Sequence, residues 1–172
     1  MSSDRRVLLV GGAGYIGSVL SSHLLENGYS VTCLDRMIYR HHHTVWPFMG
    51  RESYRFIRGD MGSPAALEQA LEDIRHVVIL AGLVGDPITK KYPLESKAIN
   101  LQGVRTVLNG LAGKNLERVI FVSTCSNYGL IPENVEATED YELKPLSLYA
   151  KHKVEIEQQL LGLKDKVDYS AT

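Results

Sequence analysis

Residues 7–17 read VLLVGGAGYIG, a short apolar run followed by glycines at positions 11, 14 and 17. After them, Ile16, Val19, Leu20, Leu24 and Leu25 recur at helical spacing, and Gly28 ends the pattern as a helix C-terminus does. The segment therefore predicts a buried strand, a tight glycine turn and an amphipathic helix over residues 15–27.

The rest of the chain repeats this alternation of short apolar runs and helical spacing. Strands are predicted at 30–34, 54–57, 76–80 and 118–122, with a sixth opening at 167–172. Helices are predicted from Ser63-Pro64, at 94–111 and at 147–163. Strands that alternate with helices indicate an α/β, doubly wound parallel sheet (Rossmann fold) in three αβα layers. We expect residues 1–172 to form one domain.

The glycine loop predicts where a ligand binds. Glycines at this spacing allow a tight turn, let the backbone approach a pyrophosphate and pack the helix close to the strand. The helix N-terminus adds free N–H groups for the anion. Asp35 follows the second strand, 18 residues after Gly17, where a carboxylate can accept hydrogen bonds from ribose hydroxyls. It would repel a 2′-phosphate, which favours NAD over NADP, although the adjacent Arg36 could meet such a phosphate.

Composition excludes several other classes of protein. A net charge of −1 gives no general attraction to nucleic acid or to a membrane surface, and the first apolar run is too short for a signal peptide or a membrane span. We expect a cytoplasmic protein with Cys33 and Cys125 both reduced and buried. The run His41-His42-His43 lies in a polar loop without a partner at a metal-binding spacing, so no metal is expected.

Several segments together resemble the extended short-chain dehydrogenase/reductases, and within them the NAD-dependent sugar-nucleotide epimerases and dehydratases. They are the glycine loop, Asp60-Met61, residues 80–87 (LAGLVGDP), Asn100 with the residues after it, residues 123–129 (STCSNYG), and Tyr149 with Lys153. The resemblance covers essentially the whole chain. It implies cofactor contacts at Gly11, Gly14, Tyr15, Ile16, Gly17, Asp35, Arg36, Asp60, Met61, Leu80, Ala81, Gly82, Val84, Asn100, Ser123, Tyr149 and Lys153.

The same resemblance implies catalytic roles for Thr124, Tyr149 and Lys153, and substrate contacts at Thr124, Cys125 and Ser126. Tyrosine and lysine four residues apart share a helix face, and an ammonium beside a phenol is expected to lower the phenol's pKa so that it can act as a base. Dehydratases of this family usually have an Asp-Glu pair where this chain has Cys125 and Ser126, so a dehydratase is disfavoured.

Three functions stay open at this stage. The first is an epimerase acting on a nucleotide-sugar, the second a nucleotide-sugar reductase or other dehydrogenase, and the third a non-catalytic dinucleotide-binding module. Family members continue beyond the sixth strand into a smaller substrate domain, so we expect this chain to be a truncated or partial form. The family commonly dimerises through two long helices, here 94–111 and 147–163.

Overall fold

The computed structural model describes residues 5–163 and 167–172. The strands are β1 (Arg6–Val10), β2 (Ser30–Asp35), β3 (Tyr54–Arg58), β4 (His76–Ile79), β5 (Arg118–Phe121) and β6 (Ser170–Ala171). The helices are α1 (Tyr15–Glu26), α2 (Pro64–Ala70), α3 (Asp86–Lys91), α4 (Pro93–Ser96), α5 (Val104–Gly110) and α6 (Leu148–Leu161), with a π-helical segment (Lys97–Gly103) between α4 and α5.

The strands form one sheet in the order β3-β2-β1-β4-β5-β6. Every pair is parallel, with Val10 beside Leu34 on one side and beside Ile79 on the other. The chain moves outward from β1 in one direction through β2 and β3, then returns to continue from β4 in the other. This reversal next to β1 leaves a crevice at the carboxyl ends of the strands. The predicted doubly wound fold is confirmed.

Two apolar cores lie on opposite faces of the sheet. Alternate side chains of β1 point to opposite faces, so that Leu8 and Val10 join one core while Val7 and Leu9 join the other. The first core is closed by α2, α5 and α6, and the second by α1 and the residues after β2. Burial on both faces explains why the strands read as continuous apolar runs.

The structure corrects several details. Helix α3 was not predicted, and the predicted helix 94–111 contains a π-helical turn in its middle. The loop after β2 contains two short 3₁₀ turns, His42–Thr44 and Trp46–Phe48. In the second turn Phe48 is buried and Trp46 is exposed. Cys33 is buried as expected, but Cys125 is exposed because it lies beyond the end of β5 in a turn at the sheet edge.

The sixth strand is present but begins three residues later than predicted. Ser170 and Ala171 pair with Arg118 and Val119 of β5, whereas the predicted strand opened at Val167. Within the described parts of the chain, no helix is long and apolar enough to cross a bilayer.

Candidate cofactor and catalytic site

The glycine loop turns directly from β1 into α1. Gly11 has φ +84°, a backbone conformation that side chains disfavour, and a Cβ added there would lie 2.6 Å from the Ala81 backbone. A Cβ on Gly17 would lie 2.5 Å from the carbonyl oxygen of Gly12. Helix α1 begins after Gly14 without a side-chain cap, so its first N–H groups are left for an anion.

Asp35 is held in place by the backbone around it. Its Oδ2 accepts a 3.0 Å hydrogen bond from the Ala13 N–H, and its Oδ1 accepts a 2.7 Å hydrogen bond from the Met37 N–H. Met37 has φ +60°, an uncommon conformation for a residue with a side chain. The carboxylate therefore ties the glycine loop to the end of β2, and its remaining lone pairs are available to a ligand.

A cleft of about 430 Å³ runs along the carboxyl ends of β1, β2, β3 and β4. The predicted cofactor residues that line it are Gly11, Gly14, Tyr15, Ile16, Gly17, Asp35, Arg36, Asp60, Met61, Leu80, Ala81, Gly82 and Val84. The other predicted cofactor residues, Asn100, Ser123, Tyr149 and Lys153, do not line this cleft, and neither do Thr124, Cys125 and Ser126.

The cleft also has walls that were not predicted from the sequence. Tyr39 and His41 line it with their rings stacked at 5.6 Å, and Met37, Ile38 and Ile99 contribute apolar surface. For residues 37–41, position in the loop after β2 was the one available signal, because irregular loops leave no periodic pattern; Ile99 lies in the π-helical segment. Among the described residues, no three His, Cys, Asp or Glu side chains lie close enough together to hold a metal ion.

Asn100 lies behind the cleft in the π-helical segment and is 4% exposed. Its Oδ1 accepts a hydrogen bond from the Leu83 N–H at 2.7 Å, and its Nδ2 donates to the Leu83 carbonyl at 2.9 Å. The side chain thus satisfies both backbone groups of a residue that follows β4 outside the sheet. Nδ2 also lies 3.4 Å from Ser96, which in turn lies 3.4 Å from Nδ1 of His152 on α6.

The residues that follow β5 are held by α6. Ser123 donates a 2.6 Å hydrogen bond to Oε2 of Glu157, and Asn127 donates to the same oxygen at 2.9 Å. Thr124 begins the turn Cys125–Tyr128, and its hydroxyl accepts from the Ser126 N–H. Glu157 and Asn127 were not predicted as site residues, although Glu157 lies one helical turn after Lys153 and so shares its face of α6.

Tyr149 and Lys153 lie near the start of α6 and are both buried. Lys153 donates a 2.7 Å hydrogen bond from Nζ to the Val122 carbonyl, and Nζ lies 5.8 Å from the centre of the Tyr149 ring. Ser147 caps the helix by accepting from the Ala150 N–H, which sets where α6 begins. The cap and the hydrogen bond to Val122 therefore place this pair at the end of β5, the strand beside β4.

The expected effect of Lys153 on the pKa of Tyr149 is wrong for this structure. Burial raises the Tyr149 pKa, and the nearby acidic groups Asp86 and Cys125 raise it further. The Lys153 ammonium is directed at a backbone carbonyl, and burial lowers its own pKa to about 8. Tyr149 is therefore protonated at neutral pH in the protein alone.

Comparison with known proteins agrees with this arrangement. The profile of the NAD dependent epimerase/dehydratase family matches residues 7–172. The chain belongs to this family. The predicted family and its cofactor, NAD, are thereby confirmed.

Individual members of the family show how far the similarity extends. The UDP-glucose 4-epimerase of Lactobacillus helveticus is 31% identical over 165 residues, which are 95% of this chain and 48% of that protein. The UDP-glucose 4-epimerase of Thermus thermophilus, solved with NAD, has a TM-score of 0.85 at 27% identity, over 96% of this chain and 53% of that one.

A third relative carries a different sugar in its name. The UDP-N-acetylglucosamine 4-epimerase of Methanobrevibacter ruminantium M1 has a TM-score of 0.84 at 28% identity, over 98% of this chain and 54% of that one. The chain therefore spans about half the length of the relatives it matches.

The burial of Lys153 in this family member has a consequence for stability. The lysine is 6% exposed and its pKa is about 8, against about 10.4 in an unfolded chain. Between pH 8 and pH 10.4 the unfolded state binds more protons than the folded state, so the free energy of unfolding rises with pH over this range. Below pH 8 the lysine is charged in both states, and the folded state carries the full cost of burying that charge. Lys153→Met is expected to raise the free energy of unfolding at pH 7 by about 1 to 3 kcal/mol.

Urea unfolding at pH 7 and pH 10 checks this expectation. The stabilisation should shrink at pH 10, where the buried lysine of the unaltered chain is neutral. The matched control is Lys151→Met, because Lys151 is exposed on the same helix. This variant should change the free energy of unfolding little at either pH. A Lys153→Met chain that is less stable than the unaltered chain at pH 7 would contradict the assigned penalty.

Proposed function

We propose that this chain supplies the cofactor-binding and catalytic portion of an NAD-dependent UDP-sugar 4-epimerase. The observation that carries the proposal is the cleft at the ends of β1–β4, with the glycine loop and Asp35 in its wall. The Tyr149/Lys153 pair lies at the end of β5, the next strand of the sheet. The relatives support the substrate class, since those named above act on UDP-sugars at the 4-position.

The residues present fit a dinucleotide. The glycines let the loop pack tightly, since a Cβ at position 11 would meet the Ala81 backbone and one at position 17 would meet the Gly12 backbone. The uncapped N-terminus of α1 lies in the wall of the cleft. Pyrophosphate would lie against residues 14–17, and a ribose against Asp35. When bound, NAD supplies the hydride acceptor for oxidation of a sugar hydroxyl.

The catalytic work of the chain falls to three side chains. Tyr149 would hold or take the proton of the reacting hydroxyl, while Thr124 would hydrogen-bond the same oxygen. Lys153 donates to the Val122 carbonyl and lies 5.8 Å from the centre of the Tyr149 ring, so a shift of Tyr149 toward the phenolate would need the positive charge that a bound dinucleotide brings. Cys125 and Ser126 would contact the sugar. Neither is a carboxylic acid or carboxylate, which supports epimerisation rather than the loss of water.

Binding of NAD by the chain is the direct test. We expect calorimetry to show NAD binding that is preferred over NADP binding, and Asp35→Ala to weaken NAD affinity about tenfold, as loss of a charge-assisted hydrogen bond would. Asp35→Asn is the matched variant, because its amide oxygen can still accept from one backbone N–H. A folded chain that binds neither dinucleotide would refute the proposal.

We propose two further properties of the whole protein. Copies of the chain would pair through the segments 94–111 and 147–163, which Arg105 already joins by contacts with Glu155 and Gln159. Sedimentation would measure this association.

A cytoplasmic location is supported by two free cysteines, since thiols persist in a reducing compartment.

A further inference from the structure

One ion pair lies across the rim of the cofactor cleft. Nη1 of Arg36, the residue after β2, is 3.2 Å from Oδ2 of Asp60, which follows β3. Both side chains are about half exposed, and both residues line the cleft. Among the described residues of the cleft wall, Arg36 carries the only permanent positive charge.

Asp60 keeps its orientation through a second contact. Its Oδ1 accepts a 2.8 Å hydrogen bond from the Gly62 N–H, so the carboxylate is fixed at the turn after β3 with Oδ2 directed at Arg36. Asp35 is fixed in the same way by Ala13 and Met37. The guanidinium is therefore held by an oriented carboxylate rather than free beside the ribose site.

We propose that Asp60 sets the dinucleotide preference of this chain by holding Arg36 away from the ribose 2′ position. The inference rests on the proposed NAD-binding function and adds the residue that enforces it. A 2′-phosphate would need a cation to offset its charge, and Arg36 is the cation available. While Asp60 holds that cation, a 2′-phosphate meets only the carboxylate of Asp35.

Asp60→Asn tests the proposal with little change in structure. The amide oxygen can still accept from the Gly62 N–H, and an exposed ion pair contributes little to stability, so the variant is expected to fold. With Arg36 released, NADP affinity should rise about threefold relative to NAD affinity, since the gain cannot exceed the free energy of the exposed ion pair that is removed. The double variant Asp60→Asn/Arg36→Gln should lose this gain.

The control is an ion pair of similar exposure away from the cleft. Arg55 and Glu72 are 3.0 Å apart, so Glu72→Gln removes the same charge and should leave the ratio of NADP to NAD affinity unchanged. The affinities of the unaltered chain and the three variants for NAD and NADP are measured by calorimetry at one low ionic strength.

Each contrary outcome is distinguishable. Equal changes in NAD and NADP affinity in Asp60→Asn would show that Asp60 contacts a group that both dinucleotides share. That result would overturn the proposal. A gain for NADP that persists without Arg36 would also overturn it, since general charge would then be the cause. Failure of the unaltered chain to bind either dinucleotide would refute the proposed function itself, whereas NAD binding with an unchanged ratio refutes only the role of Asp60.

Discussion

Gly11→Ala is expected to destabilise the chain by about 3 kcal/mol or more and to abolish dinucleotide binding. The residue has φ +84°, which costs about 1 kcal/mol for a residue with a Cβ. The Cβ would also lie 2.6 Å from the Cα and N of Ala81. Because both partners are backbone at the ends of adjacent strands, the collision can be relieved only by moving β1 and β4 apart at the floor of the cleft.

Gly50→Ala separates the two contributions. Gly50 has φ +85°, but a Cβ there would meet nothing within 4 Å, so this variant carries only the conformational cost. Thermal and urea unfolding of both variants measure the difference. If Gly11→Ala were no more destabilising than Gly50→Ala, the close approach of the glycine loop to Ala81 would not be a constraint on this fold.

Tyr149→Phe is expected to reduce conversion of UDP-glucose to its 4-epimer about 10²- to 10⁴-fold in a protein that joins this chain to the part of a relative that the chain does not cover, because general acid–base catalysis usually contributes this much. The ring is kept, so packing at the start of α6 should be unchanged, and only the proton-carrying oxygen is lost. NAD affinity should stay within about threefold of the original, since the phenol oxygen is one contact among many. Chromatography of the nucleotide-sugars after incubation with NAD gives the rate.

Tyr141→Phe is the matched control for this loss. Tyr141 lies in the loop after β5 and packs edge-on against Tyr128 at 6.0 Å, a ring contact that phenylalanine retains. The conversion rate of the Tyr141→Phe variant, measured in the same protein, should equal that of the unaltered protein. Normal NAD binding with an undiminished conversion rate in Tyr149→Phe would contradict the catalytic role proposed for Tyr149. A completed protein that binds NAD without any conversion would favour a non-catalytic dinucleotide-binding module.

Much of the fold could be predicted because its signals are local. The strands read as continuous apolar runs, and the observed ends of β1 to β5 lie within one residue of those predicted. Helix α3 was missed because it is short and begins with Asp86-Pro87, a pair that is equally typical of a turn. The π-helical turn around Asn100 could not be predicted from the apolar spacing of residues 94–111, and the hydrogen bonds of Asn100 with Leu83 join segments that are 17 residues apart in the chain.

Some residues of the candidate site could be predicted from local signals, and others could not. Positions 11, 14 and 17, Asp35, and the pair Tyr149 and Lys153 were found from the spacing of motifs and from the family resemblance. Tyr39 and His41 were not found, because their place in the cleft depends on how an irregular loop folds back over β2. The direction of the Tyr149 pKa shift was wrong for a related reason, since it depends on burial and on the direction of the Lys153 ammonium.

By itself, the sequence determined the doubly wound sheet, the glycine turn and the residue types available for binding and catalysis. These follow from backbone dihedral preferences and from side-chain periods of 2.0 and 3.6 residues, which act between near neighbours in the chain. The tertiary structure alone decided that Arg36 pairs with Asp60, that Lys153 is buried with a pKa of about 8, and that Glu157 holds the residues after β5. Charge and hydrogen bonding act over a few ångströms between residues far apart in the chain, so they are set only when the strands and helices have packed.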